Sequence, residues 1–154
     1  MCRVAYSNRQ REFPIRIDKT SLKTVVEVVL QEELQDADIV GLYLLSDRMM
    51  RYYHKKFFND PSSTDCMSFP LDDQTTKKRH LGEIMICPKT AHLVAQKENI
   101  SFWKELTLNL VHGMLHLLGY EDTTETGYTM MTQKQTFLLS SLEQNQCLIR
   151  GFLL

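Results

Sequence analysis

What this chain of 154 residues has little of narrows its function first. Cysteine is sparse: Cys2, Cys66, Cys87 and Cys147 lie far apart and form no CxxC pair. That spacing argues against a disulfide framework, which a chain able to build its own core does not need. It equally excludes a Cys-rich zinc site and leaves the histidines as the metal candidates. The four thiols are expected to be small buried hydrophobes in a reducing compartment. An excess of one charge is missing as well. Eighteen Lys and Arg against nineteen Asp and Glu give a formal net charge of -1, so any contact with RNA must come from a local patch. No apolar run approaches the ~18–20 residues of a membrane span, and no basic stretch followed by an apolar one opens the chain. A soluble, unsecreted, cytoplasmic protein is expected. Linkers, repeats and low-complexity segments are absent too, so residues 1–154 read as one domain. With 43% hydrophobic residues the chain can bury a substantial core.

What is there alternates in period. Arg3 to Ser7 suits a short strand that ends at Phe13-Pro14. From Asp18 the pattern turns helical: Asp18 or Thr20 can cap, and Leu22, Val25, Val26, Val29 and Leu30 recur on one face. Ile39 to Leu45 is a β-branched and aliphatic run suited to a strand. Ser46-Asp47 then caps a helix over Arg48 to Phe57, with Met49, Met50, Tyr53 and Phe57 on one side. Asn59 to Ser63 carries loop signals. Asp65 to Phe69 is a short strand stopped by Pro70. The polar, basic stretch Asp72 to Arg79 reads as a mobile loop, and His80 to Cys87 as a strand ended by Pro88. Helices follow over Thr90 to Glu98, Ser101 to Leu118, and Glu125 to about Cys147. Strands mixed with helices, then helices alone, predict an α+β fold: a small mixed β-sheet covered by several α-helices.

The chemistry concentrates between Leu110 and Asp122. His112 and His116 are four apart on a helix, about 40° apart around its axis, so both imidazoles can reach one ion. Gly119 sits where a helix ends through a left-handed residue, and Asp122 can reach back from just beyond that stop. Two imidazoles in so apolar a helix are costly unless their nitrogens are satisfied. A metal site at the end of a core helix, with His112, His116 and Asp122 as ligands, satisfies them. Three protein ligands leave a position open, the pattern of a catalytic rather than a structural zinc site. At Gly113 an HExxH zinc protease would carry its glutamate base, so peptide hydrolysis loses its mechanistic support.

The run His112-Gly-Met-Leu-His116-Leu-Leu-Gly-Tyr120 resembles the signature of YbeY proteins, bacterial metal-dependent endoribonucleases linked to maturation of small-subunit ribosomal RNA. Ser63-Thr-Asp-Cys-Met-Ser-Phe-Pro70 and His80-Leu-Gly-Glu-Ile-Met-Ile-Cys87 agree in order and spacing, so the likeness covers nearly the whole chain. It implies a single-strand endoribonuclease with one Zn2+ per chain, working on ribosomal RNA or the small ribosomal subunit. Two departures stand out. The family usually has a third histidine where this chain has Asp122, an acceptable zinc ligand whose charge should weaken the ion as a Lewis acid. It usually has an arginine where this chain has Phe58, a place suited to phosphate contact. Lys55 and Lys56 nearby can substitute as point charges.

On this reading the ion polarises a phosphoryl oxygen or acidifies water. Thr64, Asp65 and Ser68 line the same cleft and orient water or ribose hydroxyls. Lys77, Lys78, Arg79 and His80 join Lys55 and Lys56 in guiding phosphates. The runner-up is a non-catalytic ribosome-assembly or RNA-binding factor with a structural metal, favoured by Phe58 and the near-neutral charge. An iron(II) site using oxygen ranks last, because nothing in the sequence marks a cosubstrate pocket.

Overall fold

The computed structural model describes residues 1–71 and 77–154. Its elements run β1 (Arg3–Asn8), β2 (Ile15–Ile17), α1 (Lys19–Glu32), β3 (Ile39–Leu44), α2 (Asp47–Phe58), β4 (Cys66–Pro70), β5 (His80–Ile86), α3 (Pro88–Glu98), α4 (Phe102–Leu117), α5 (Glu125–Gln144) and β6 (Gly151–Leu153). Four strands form a mixed sheet in the order β1-β3-β5-β4. β1, β3 and β5 are parallel, and β4 closes one edge antiparallel to β5. The α+β expectation is met. Among the described residues no helix is long and apolar enough to cross a membrane. All four cysteines are free thiols; Cys2 and Cys87 are buried, Cys66 and Cys147 half-buried.

The helices begin where the sequence offers a cap. The side chains of Asp18, Ser46, Ser101 and Thr124 accept hydrogen bonds from the backbone N–H of Thr20, Met49, Lys104 and Gly127, satisfying first-turn donors. α3 instead starts on Pro88, whose missing N–H costs nothing at a first helical position.

α4 is the organising element. Phe102, Leu106, Leu110, Val111, Met114, Leu115 and Leu117 are all buried, so it is apolar over most of its circumference, as a helix enclosed on several sides must be. It packs against α1, α3 and α5 and lies on β4 and β5. Gly113 sets how close it comes. A Cβ at that position would stand 2.7 Å from Ile84 Cγ2 and 3.1 Å from Ile84 Cδ1, on the fully buried centre of β5.

Three local features differ from the sequence reading. Met49 and Phe57 do not share a buried face with Met50, being 37% and 53% exposed. α2 touches the body through a small separate cluster, Met50 against Leu45, Met67 and Cys87 with Tyr53 alongside, and that patch is too narrow to cover its flanks. α5 stops at Gln144 rather than near Cys147. Finally, β2 and β6 pair as a separate two-stranded sheet, with Ile15 opposite Leu153 and Ile17 opposite Gly151. Three-residue strands carry too little alternation to be recognised. Of the expected loop Asp72 to Arg79, residues 72–76 lie outside the described residues.

Gly113→Ala gains about 1 kcal/mol of helix propensity but overpacks Ile84 at a cost of about 1–3 kcal/mol. Because Ile84 is held on all sides, the expected outcome is net destabilisation by about 1 kcal/mol or more in urea unfolding. A gain in stability would show that the helix can lift off the sheet.

Candidate metal centre and its cleft

α4 carries one polar stripe. Glu105, Asn109, His112 and His116 follow at i, i+4, i+7 and i+11, within roughly 60° around the axis. β4 runs beside it: the Cys66 thiol donates to the Asn109 carbonyl at 3.5 Å and the Ser68 hydroxyl to the Gly113 carbonyl at 3.4 Å. Gly113 faces Ile84, so the position beside His112 has no room for a glutamate reaching into the cleft.

The helix end then builds the ligand set. The Gly119 N–H donates to the His116 carbonyl at 3.1 Å and the Tyr120 N–H to the Leu115 carbonyl at 3.0 Å, the paired bonds of a Schellman stop. Gly119 adopts φ +100°, a conformation that glycine reaches without strain. The reversed chain puts the Tyr120 carbonyl 3.0 Å from His116 Nδ1. From α5, Gln135 Oε1 lies 2.8 Å from His112 Nδ1. Those acceptors suit a proton on Nδ1 of each ring, the tautomer that leaves both Nε2 lone pairs free to face an ion.

The two Nε2 atoms stand 3.0 Å apart. Asp122 Oδ2 is 3.8 Å from that of His112 and 3.5 Å from that of His116. Ligands about 2.0–2.1 Å from a tetrahedral zinc are ~3.3 Å apart, so this triangle needs only small side-chain adjustments to close on an ion. Orienting acceptors behind both rings and a carboxylate from a separate segment fit a divalent cation. Two nitrogens and an oxygen suit zinc.

The three residues open onto a cleft of about 500 Å³, also lined by His54, Phe58, Cys66, Met67, Ser68, Pro70, Gly119, Tyr120 and Glu121. Sequence reasoning missed His54, Gln135 and the positioning of Tyr120. His54 Nδ1 sits 2.9 Å from the Ser62 carbonyl, and its Nε2 is 3.9 Å from Asp60 Oδ2. The Tyr120 hydroxyl donates to Glu33 at 2.9 Å, and Lys134 pairs with the same carboxylate at 3.3 Å. Burial, then the hydrogen bond to Glu33, pushes Tyr120 up to about 12, so it remains a donor.

Of the residues expected from sequence to orient water or ribose hydroxyls or to guide phosphates, only Ser68 lines this cleft. Thr64 donates to the Cys66 carbonyl at 3.2 Å, and the backbone carbonyl of Asp65 accepts from the Cys87 N–H at 3.1 Å, at the start of β4. Lys55 and Lys56 are exposed in the last turn of α2, where the Lys56 ammonium lies over the Tyr52 and Phe57 rings. Lys77 and Lys78 are exposed. The Arg79 guanidinium binds Gln35 Oε1 at 3.1 Å and the Asp36 carbonyl beyond α1. His80 faces Glu83 at 4.0 Å.

A mixed sheet crossed by an apolar helix whose last two turns present two imidazoles, with a carboxylate just beyond the helix end, defines a domain able to hold a metal ion beside an open cleft. The comparisons narrow that class. The family model described as endoribonuclease YbeY matches residues 5–143. Endoribonuclease YbeY of Protochlamydia amoebophila is 34% identical over 94% of this chain and 95% of its own length. That of Chlamydia caviae is 33% identical over 95% and 94%. A solution structure of the Thermotoga maritima protein TM1509 has a similar fold, with a TM-score of 0.57 over 94% of this chain and 95% of that one at 22% identity. This chain belongs to the YbeY endoribonuclease family. Membership supports an endoribonuclease role.

Two outcomes test this geometry. Gln135→Ala frees the His112 ring, and zinc affinity measured against a fluorescent chelator should fall about 10–100-fold with unchanged helicity. Unchanged affinity would mean that Gln135 does not orient the ligand. Glu105, 3% exposed, is driven up from 4.5 to about 7 by burial first, then by the Asp65 and Glu98 carboxylates. Its folded pKa lies above the unfolded one, so the folded state holds the extra proton between those values. Stability is therefore greatest below pH 4.5 as far as this group is concerned and falls as pH rises through 7, by up to about 3 kcal/mol. Chemical unfolding from pH 5 to 8 should show that decline, and Glu105→Gln should flatten it.

Proposed function

We propose that this protein is a zinc-dependent endoribonuclease that cuts single-stranded RNA in maturation and quality control of small-subunit ribosomal RNA, in the cytoplasm and as a single domain. The observation that carries the metal-dependent part is the convergence of His112 Nε2, His116 Nε2 and Asp122 Oδ2 on an open cleft, with both Nδ1 positions already engaged. Family membership supplies the RNA.

His112, His116 and Asp122 hold the ion, which when bound supplies Lewis acidity toward a phosphoryl oxygen. The surrounding side chains do the remainder. Ser68, its hydroxyl only loosely tied to the Gly113 carbonyl at 3.4 Å, turns toward the cleft to hydrogen-bond a ribose hydroxyl or water. Thr64 and Asp65 act by fixing the start of β4, and thereby the place of Ser68. Lys55 and Lys56 attract phosphates from beyond the cleft, and Lys77, Lys78, Arg79 and His80 do so at greater remove. The small ribosomal subunit is the partner in this reading.

The decisive test is cleavage of single-stranded RNA and of small-subunit precursor RNA by zinc-loaded protein. His116→Ala and Asp122→Ala should each lower the rate at least ~100-fold and lose the bound zinc, with the fold retained by circular dichroism. Intact RNA after incubation with the zinc-loaded wild type would defeat the reading.

A further inference from the structure

Helix α2 exposes aromatic surface that folding leaves unused. Tyr52, Phe57 and Phe58 are each more than half exposed within one twelve-residue helix, and a cluster of bare rings marks a place where something docks. Only Phe58 of the three lines the metal cleft. Its ring is supported on the protein side, with centroids 5.9 Å from Phe69 at 35° and 5.7 Å from His54 at 56°. Phe69 is itself set in β4 and meets Phe57 edge-on at 5.2 Å, so the rings brace one another. Asn59, left-handed at φ 55°, ends the helix immediately after Phe58 and turns the chain back along α2, where Ser62 meets His54 and Ser63 meets Asp47, and the Phe58 ring stays 52% exposed.

The surrounding charge names the occupant. α2 carries Arg48, Arg51, Lys55 and Lys56 against a single acidic residue, Asp47. A flat apolar face beside a row of cations suits a polyanion that carries flat rings. In a duplex both faces of a base are already stacked, whereas in a single strand one is free for an aromatic side chain.

We propose that Phe58 is a nucleobase-stacking platform at the mouth of the cleft, seating one unstacked base of the RNA next to the phosphate held at His112, His116 and Asp122. This rests on the reading of the cleft as an RNA site and adds a source for single-strand preference that is independent of the metal. A ring braced before binding loses little freedom when a base arrives, which favours stacking over a mobile side chain.

The test is binding, without turnover, of a short fluorescein-labelled 2′-O-methyl RNA followed by anisotropy, for protein with and without zinc. Phe58→Ala should weaken binding about tenfold, Phe58→Trp should keep or strengthen it, and Phe137→Ala, exposed on α5 and not among the residues that line the cleft, should leave it unchanged. Replacing single nucleotides by abasic ones should reveal one position whose loss costs wild type the same factor and costs Phe58→Ala nothing. If wild type binds but Phe58→Ala binds equally well, or every abasic penalty persists in that variant, stacking is wrong while the RNA site stands. If wild type fails to bind RNA at all, both readings fall, and the exposed aromatics belong to a protein partner.

Discussion

The contact between Gly113 of α4 and Ile84 of β5 fixes the height of the central helix above the sheet, and the rest of the structure is arranged around that distance. Because the helix lies so low, its polar stripe comes level with β4, close enough for Cys66 and Ser68 to bond carbonyls of α4 directly. The same approach leaves the flanks of α4 to be covered by α1, α3 and α5, which is why almost its whole circumference is apolar. The imidazoles emerge only in the last two turns, where the cover ends. A bulkier residue at 113 would tilt the helix and displace those rings relative to Asp122, which belongs to a different segment.

The candidate ligands are thus placed by different kinds of force. His112 and His116 share a face through helical periodicity. Asp122 arrives through the Schellman stop at Gly119, a backbone effect. The ring orientations depend on Gln135 from α5 and on the Tyr120 carbonyl, and Tyr120 is in turn tied through Glu33 to Lys134. Three helices therefore cooperate in aiming two nitrogens.

This division explains what could be read from the sequence. Periodicity and glycine stops are local, so the histidine pair, the helix end at Gly119 and the approach of Asp122 were legible, as were most elements of the α+β fold. The acceptor for His112 was not, since Gln135 lies 23 residues away on a surface-facing helix with no distinguishing neighbours. His54 was hidden for the same reason: its position on the cleft depends on how α2 sits against β4. Met49, Met50, Tyr53 and Phe57 were expected on one side of α2, yet only Met50 is buried there. The narrow cluster around Met50 could not be inferred from α2 alone. Charge gave the least guidance: Lys77 to His80 looks like a phosphate-binding run, yet none of these residues lines the cleft, and Arg79 reaches Gln35 and Asp36 instead.

Helix ends are usually the first part of a helix to open, exchanging amide hydrogens at little free-energy cost. Here the last turn of α4 and the three residues after it carry His116, the Gly119 and Tyr120 amides and the path to Asp122. Opening that turn separates ligands that an ion would hold together. A cation bound there would double as a clasp on the helix terminus, and the Tyr120 amide, bonded to the Leu115 carbonyl, would then exchange with solvent only as often as the clasp let go.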